Sequence, residues 1–319
     1  MRSDLYAGLQ SALDPRGPQA ARIDDLWWIF IVLSVVVWVA VVAVLGLALW
    51  RRGRRTFTER PRGEPRRTLV VIAATAVTVV VLLGLVAASA LTGRAVSTLP
   101  GADRQPVVVT VVGHQWWWEV QYEDDVPGRT FTTANELRIP VGRPVIVRAT
   151  SRDVIHSFWV PNLAGKLDMV PGRVNRLRVH AARAGVYRGQ CAEYCGGPHA
   201  QMAFYVVAED EAAFERWREA QRLPSGKRND PEGERIFLAH CAACHTVRGT
   251  PAAGTLGPDL THVGSRLSIG AGILPNNRGT IAGWIVSSQH LKPGNLMPSM
   301  RGFGGEELRA LAAYVESLK

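Results

Sequence analysis

Two stretches of this chain, Trp27 to Trp50 and Leu69 to Thr92, contain no charged residue. At about 1.5 Å of rise per residue, a helix over either one can cross a hydrocarbon core of ~30 Å. Trp27, Trp28 and Trp50 stand at the ends of the first stretch, where indole rings favour the membrane–water interface. The alternative is a pair of buried core helices, but no polar face interrupts either run. The first stretch is also too long for the apolar part of a cleaved signal, and polar sequence precedes it. The pattern predicts an N-terminal segment 1–26, spans over 27–50 and 69–92, and a connecting loop 51–68.

That loop holds Arg51, Arg52, Arg54, Arg55, Arg60, Arg62, Arg66 and Arg67 against Glu59 and Glu64. The excess of positive charge assigns it to the cytoplasm. Both termini, and everything after Thr92, then lie on the outer side of a bacterial plasma membrane. Of the 319 residues, 47% are hydrophobic and 20% charged, which excludes a disordered chain. The net charge of +10 does not point to nucleic acid, because the arginines form no single patch with aromatics between them. Those outside the loop suit a surface that docks an acidic partner.

The outer part reads as three pieces. From 106 to 208, short apolar runs alternate with polar residues, as in Glu136-Leu137-Arg138-Ile139 and Arg176-Leu177-Arg178-Val179. Val126-Pro127-Gly128, Pro140-Val141-Gly142 and Pro171-Gly172 punctuate them. This is the signature of an all-β sandwich or barrel. Residues 209–231 read as a short amphipathic helix and a Pro/Gly/Lys/Arg-rich linker. From 232 to 319 the pattern turns to short helices and glycine-rich loops, ending in a helix near 306–318 whose apolar face carries Leu308, Leu311, Ala312 and Val315.

The four cysteines fall in two close pairs, too few for a disulfide scaffold. The first pair lies in Cys191-Ala-Glu-Tyr-Cys195-Gly-Gly-Pro-His199-Ala-Gln-Met202. Two thiolates, an imidazole and a thioether suit copper better than calcium or magnesium. A disulfide and a structural zinc site are the alternatives, although zinc rarely recruits methionine. His156, upstream, would by itself be an ordinary core histidine. The second pair, Cys241-Ala-Ala-Cys244-His245, is the attachment motif for c-type haem, with a zinc half-site as the alternative.

The loop from Cys191 to Met202 resembles the binuclear CuA centre of subunit II of cytochrome c oxidases. The resemblance implies that Cys191 and Cys195 bridge two coppers and that His156 and His199 bind one each. Met202 is then a weak axial ligand and Glu193 contributes its carbonyl. It also implies a magnesium ion on the Glu193 side chain, shared with subunit I. Within Gly113-His114-Gln115-Trp116-Trp117-Trp118, it makes Trp116 an electron-transfer residue and leaves Trp117 and Trp118 as packing. Asp168-Met169-Val170-Pro171-Gly172-Arg173 is similar to the family's segment facing subunit I, which removes Met169 from the ligands. The family's glutamate near the start of the second span is not matched cleanly. Glu64 precedes Arg66, Arg67 and Thr68 instead.

Downstream, Lys292-Pro293-Gly294-Asn295-Leu296-Met297-Pro298 resembles the methionine loop of class I cytochromes c. That makes Met297 the sixth haem ligand, with Met300 as the rival. Gly257-Pro258-Asp259-Leu260 is similar to the loop on the histidine side, with Pro258 packing on His245 and Leu260 as wall. The whole resemblance implies a membrane-anchored chain with a two-helix hairpin, a Greek-key cupredoxin domain and an all-α cytochrome c domain. Its function would be electron transfer from haem c to CuA and on to subunit I, for oxygen reduction coupled to proton pumping. The partners implied are subunits I and III and, as donor, cytochrome c or a quinol–cytochrome c reductase. A CuA subunit of a nitric oxide reductase and a membrane-tethered copper chaperone are the alternatives.

Overall fold

The computed structural model describes residues 10–52, 64–97, 104–126, 128–226 and 230–319. The chain forms two bodies, one of Ala21–Thr98 and one of Met1–Ala20 with Leu99–Lys319.

The first body holds most of α1 (Pro18–Arg52, 35 residues) and α2 (Glu64–Ser97, 34 residues). Both exceed the uncharged stretches at each end. Helix continuation is set by backbone bonding and propensity, so Pro18 at the first position and the polar residues after it belong to α1 although they are not apolar. At roughly 50 Å each helix is longer than a hydrocarbon core of about 30 Å, so polar ends project from an apolar middle. Large apolar side chains are exposed along both, Trp38 at 67% and Val80 at 68% among them. Two such helices fit a membrane anchor. Residues 53–63 of the arginine-rich loop, and the side chain of Glu64, lie outside the described residues.

The second body begins with two sheets. One has the order β3 (Phe131–Ala134), β2 (Trp117–Tyr122), β1 (Val107–His114), β5 (Val145–Ser151) and β8 (Asn175–Val179). The other has β4 (Glu136–Pro140), β10 (Ala203–Glu209), β9 (Gly185–Cys191), β6 (His156–Trp159) and β7 (Leu167–Met169). The β1–β5 and β4–β10 pairs are parallel and the other pairs antiparallel. The chain switches sheets between β3 and β4 at Asn135, which takes φ 59° and accepts the Trp118 N–H on its side chain at 2.9 Å. Asparagine tolerates that left-handed conformation. Alternation fills the core with Val109, Val111, Trp118, Leu137, Ile139, Val147, Phe158 and Phe204, while Arg176 and Arg178 stay exposed. Helix α3 (Glu211–Arg222) is capped by Asp210 and buries Phe214 on this sandwich.

The segment before α1 belongs to the same body. The Arg16 N–H donates to Asn162 O at 2.7 Å, the Ala182 N–H to Arg16 O at 2.8 Å, and Gln19 Nε2 to Arg178 O at 2.7 Å. Both ends of the apolar helix pair therefore join one folded unit.

The last part comprises α4 (Pro231–His240), α5 (Arg278–Leu291) and α6 (Gly305–Ser317). α4 crosses α6 with Phe237 against Tyr314 at 5.4 Å, over buried Leu311, Ala312 and Val315. It is not wholly helical. Residues Ser268–Ile269 (β11) and Leu274–Pro275 (β12) form a small hairpin whose tip, Gly270-Ala271-Gly272, has φ of 65°, 65° and 80°. Three consecutive left-handed residues make a tight reversal that apolar periodicity does not reveal.

Candidate metal centre

The antiparallel β9–β10 ladder pairs Gln190 with Ala203, and the Cys191 N–H donates to Met202 O at 2.9 Å. Residues 191–202 are thus the closed end of a hairpin, and the ladder itself sets Cys191 beside Met202. β6 lies next to β9, with Phe158 opposite Cys191, so His156 at the start of β6 reaches the same place.

The donor atoms converge. Cys191 Sγ is 3.7 Å from Cys195 Sγ, 3.8 Å from His156 Nδ1 and 3.2 Å from Glu193 O. Cys195 Sγ is 3.5 Å from His199 Nδ1 and 3.9 Å from Met202 Sδ. Cys191, Cys195, His156 and Met202 are buried and His199 is half-buried. The sulfurs are far beyond the ~2.05 Å of a disulfide, and both cysteines are free. Two thiolates, two imidazoles, a thioether and one carbonyl form a soft, mixed donor set that fits copper. The hydrogen bond between the two thiols holds Cys191 well below the usual thiol range, against the effect of burial, and pushes Cys195 up.

Sequence reasoning missed what holds His156. Its Nε2–H donates to Asp153 Oδ1 at 2.8 Å, which leaves the Nδ1 lone pair toward Cys191. Asp153 also accepts the N–H groups of Val154 and Gln115, each at 2.7 Å. Burial pushes its carboxyl up, but these bonds hold it below the usual range. A carboxylate behind a ligating histidine fixes the tautomer and ring, and its place three residues earlier was the available signal. Gly113 on β1 makes the room, since a Cβ there would lie 2.7 Å from the His156 ring.

Trp116 donates its Nε1–H to Cys195 O at 2.9 Å, beside Gln115 Nε2 at 2.8 Å on the same oxygen. Its ring lies between two glycines. A Cβ on Gly196 of the copper loop would come within 2.8 Å of it, and one on Gly294 of the methionine loop within 3.4 Å. Trp118 is buried in the core, and Trp117 stacks on His114 at 4.2 Å. Met169 is buried and lies opposite His156 in the β6–β7 ladder, while the segment from Pro171 to Val174 is exposed.

In the helical part, Cys241 caps the C-terminal end of α4, and the N–H groups of Cys244 and His245 donate to its carbonyl at 3.1 and 3.0 Å. The His245 Nδ1–H donates to Pro258 O at 2.8 Å, so Nε2 keeps its lone pair and burial holds the ring toward its neutral form. Pro258 thus meets His245 through its carbonyl. Leu260 is partly buried in the apolar cluster around the motif. Met297 Sδ accepts the Trp284 Nε1–H at 3.1 Å, and its carbonyl accepts from Ser288 Oγ at 2.9 Å. Met300 lines a cavity of about 310 Å³ with Ile236, His240 and Phe303. Two free thiols, an imidazole with its far nitrogen available and a half-buried apolar wall fit a covalently held haem.

The chain is similar to known proteins along most of its length. Residues 126–209 match the family model "Cytochrome C oxidase subunit II, periplasmic domain", and residues 231–319 match "Cytochrome c". Cytochrome c oxidase subunit 2 of Alkalihalophilus pseudofirmus is 36% identical, the alignment covering 97% of this chain and 91% of that one. Its counterpart in Bacillus subtilis is 29% identical over 97% and 92%. Among solved structures, the periplasmic domain of subunit II of cytochrome oxidase from Bradyrhizobium japonicum is 31% identical, covering 39% of this chain and 97% of that one, with a TM-score of 0.36.

Proposed function

Because the chain belongs to the cytochrome c oxidase subunit 2 family and carries a cytochrome c domain, we propose that it takes electrons in at haem c and delivers them through binuclear copper to subunit I. There oxygen is reduced to water, coupled to proton pumping. The observation that carries this reading is the convergence of Cys191, Cys195, His156, His199, Met202 and the Glu193 carbonyl. Cys191, Cys195, His156, His199, Met202 and the Glu193 carbonyl would hold the copper. When bound, the copper pair supplies a one-electron relay whose charge is spread over two metals.

The residues of the chain keep that relay rigid. Asp153 fixes His156, and the ladder fixes Cys191 against Met202. A preset cage has little to rearrange when its charge changes. His245 and Met297 would hold the haem iron, and a thioether ligand stabilises the ferrous form. Trp116 passes the electron toward the copper loop, which its bond to Cys195 O supports. No general acid, base or nucleophile is needed on this chain, since the oxygen-reducing site belongs to another subunit. The arginine-rich loop faces the cytoplasm, and both metal domains face the periplasm. The exposed segment 171–174 meets subunit I, with subunit III as further partner, and the Glu193 carboxylate shares a magnesium ion with subunit I. The electron donor is cytochrome c or a quinol–cytochrome c reductase.

Electron paramagnetic resonance of the copper-loaded chain tests the core of this reading. One unpaired electron shared equally by two coppers is expected. A single-copper signal, with copper readily lost to a chelator, would move the reading to a copper chaperone. Met297→Ala is expected to abolish the methionine–iron absorption band and Met300→Ala to leave it; the reverse would exchange their roles. Oxygen consumption by the purified complex, set against nitric oxide consumption, decides the terminal reaction.

A further inference from the structure

Lys292 is 2% exposed, in a protein where lysines otherwise have every reason to sit in water. It caps the end of α5 and begins the loop that carries Gly294 and Met297. Its Nζ donates to three backbone carbonyls, Trp116 O at 2.6 Å, Gln201 O at 2.8 Å and Gly270 O at 3.0 Å. Burial lowers the Lys292 pKa to about 7, and in the ammonium form its three N–H donors are all used. Trp116 and Gln201 belong to the β-sandwich, Gln201 standing next to Met202. Gly270 is at the tip of the hairpin in the helical domain. One side chain therefore ties together the root of the methionine loop, the backbone of the tryptophan beside the copper loop, and the residue preceding a copper donor.

Two further bonds cross the same boundary. The Ala203 N–H donates to Ala271 O at 3.0 Å, and the Leu267 N–H to Glu136 Oε2 at 2.8 Å. The acceptors of Lys292 are neutral backbone carbonyls of half-buried residues, and the lysine itself is buried. Salt in the solvent screens exposed charge pairs but reaches such a contact weakly.

We propose that Lys292 is a positioning residue, locking the cytochrome domain onto the copper loop so that electron transfer within the chain crosses a contact of constant geometry. This rests on the route from haem c to copper proposed above. An exchange partner that docks through exposed charges must find its place each time; here the distance between the Met297 loop and Trp116 is set by covalent chain and by hydrogen bonds from one buried lysine.

The test is flash photoreduction of haem c in the assembled, metal-replete oxidase, following haem reoxidation and copper reduction. In the unaltered protein the internal rate should stay within about twofold from low to high ionic strength. A rate that falls steeply with salt overturns the lock. Lys292→Met keeps the length of the side chain and removes its donors. It should slow the internal transfer by ~tenfold or more, since small misplacements of reacting centres are costly. The copper resonance, the haem spectrum and both midpoint potentials should stay as they were, and the Ala203 amide should lose hydrogen-exchange protection. An unchanged rate overturns the proposal. So does a lost copper signal, because Lys292 would then shape the copper loop and not the domain contact. If Lys292→Met does not accumulate, the salt dependence of the unaltered protein decides. Absence of any haem-to-copper transfer in the unaltered protein is a separate outcome that sinks the electron route itself.

Discussion

In the copper loop the protein alone brings six donor groups to within 3.2–3.9 Å of a neighbouring donor, whereas in the haem domain the two axial candidates are each turned to a protein partner of their own. The copper donors sit on a hairpin end and an adjacent strand, so their meeting is a by-product of ladder register. The haem motif is a turn after a short helix, and its surroundings are only partly buried, with Cys241, Leu260, Trp284, Met297 and Phe303 all short of full burial. A small ion needs a cage that exists beforehand. A large apolar cofactor completes a core that would otherwise be too small, and covalent attachment keeps it there. The same chain thus uses two strategies, one written in backbone pairing and one in a covalent anchor.

The sharpest way to break this contrast is to remove the anchor. Cys241→Ala with Cys244→Ala should leave the haem domain without its cofactor and cost α4 and α6 about 4 kcal/mol or more of protection. The strands of the sandwich should exchange as before. Equal protection in α4 and α6, read by hydrogen exchange, would mean that the haem domain is as self-sufficient as the copper domain. A smaller effect is expected from Asp153→Ala, which frees the His156 ring. Copper affinity should fall about 10–100-fold in a chelator competition, with the strand pairing intact; wild-type affinity would mean that the ladder alone presets the cage. The smallest effect belongs to Trp284→Phe. Losing the N–H that Met297 Sδ accepts should shift the haem potential by at most ~40 mV, the value if the whole ~1 kcal/mol of the bond favours one redox state. The haem potential should fall, because the donor draws electron density from the sulfur and favours ferrous iron. An unmoved potential in a redox titration would separate Trp284 from the iron ligand.

How much of this was legible beforehand follows from the same contrast. Cys191, Glu193, Cys195, His199 and Met202 are readable because a single turn carries them all. His156 is thirty-five positions from Cys191, and only the family pattern joined it to the loop. Asp153 and Gly113 act through the register of neighbouring strands, which composition and spacing do not reveal. Lys292 reads as an ordinary surface lysine in a Pro-Gly loop, and nothing local shows that three carbonyls from distant segments surround it. The apolar stretches marked the middles of α1 and α2 well and their ends poorly. Helices stop where backbone partners and caps run out, whereas hydropathy stops where charge begins.

The bonds from Arg16 to Asn162 and Ala182 carry a consequence for how the molecule is made. The residues that precede α1 are synthesised first, yet their partners emerge only after both apolar helices have been threaded. That strip stays unpaired until residues 162–182 have been made, so closure of the sandwich can follow only after both apolar helices have been synthesised.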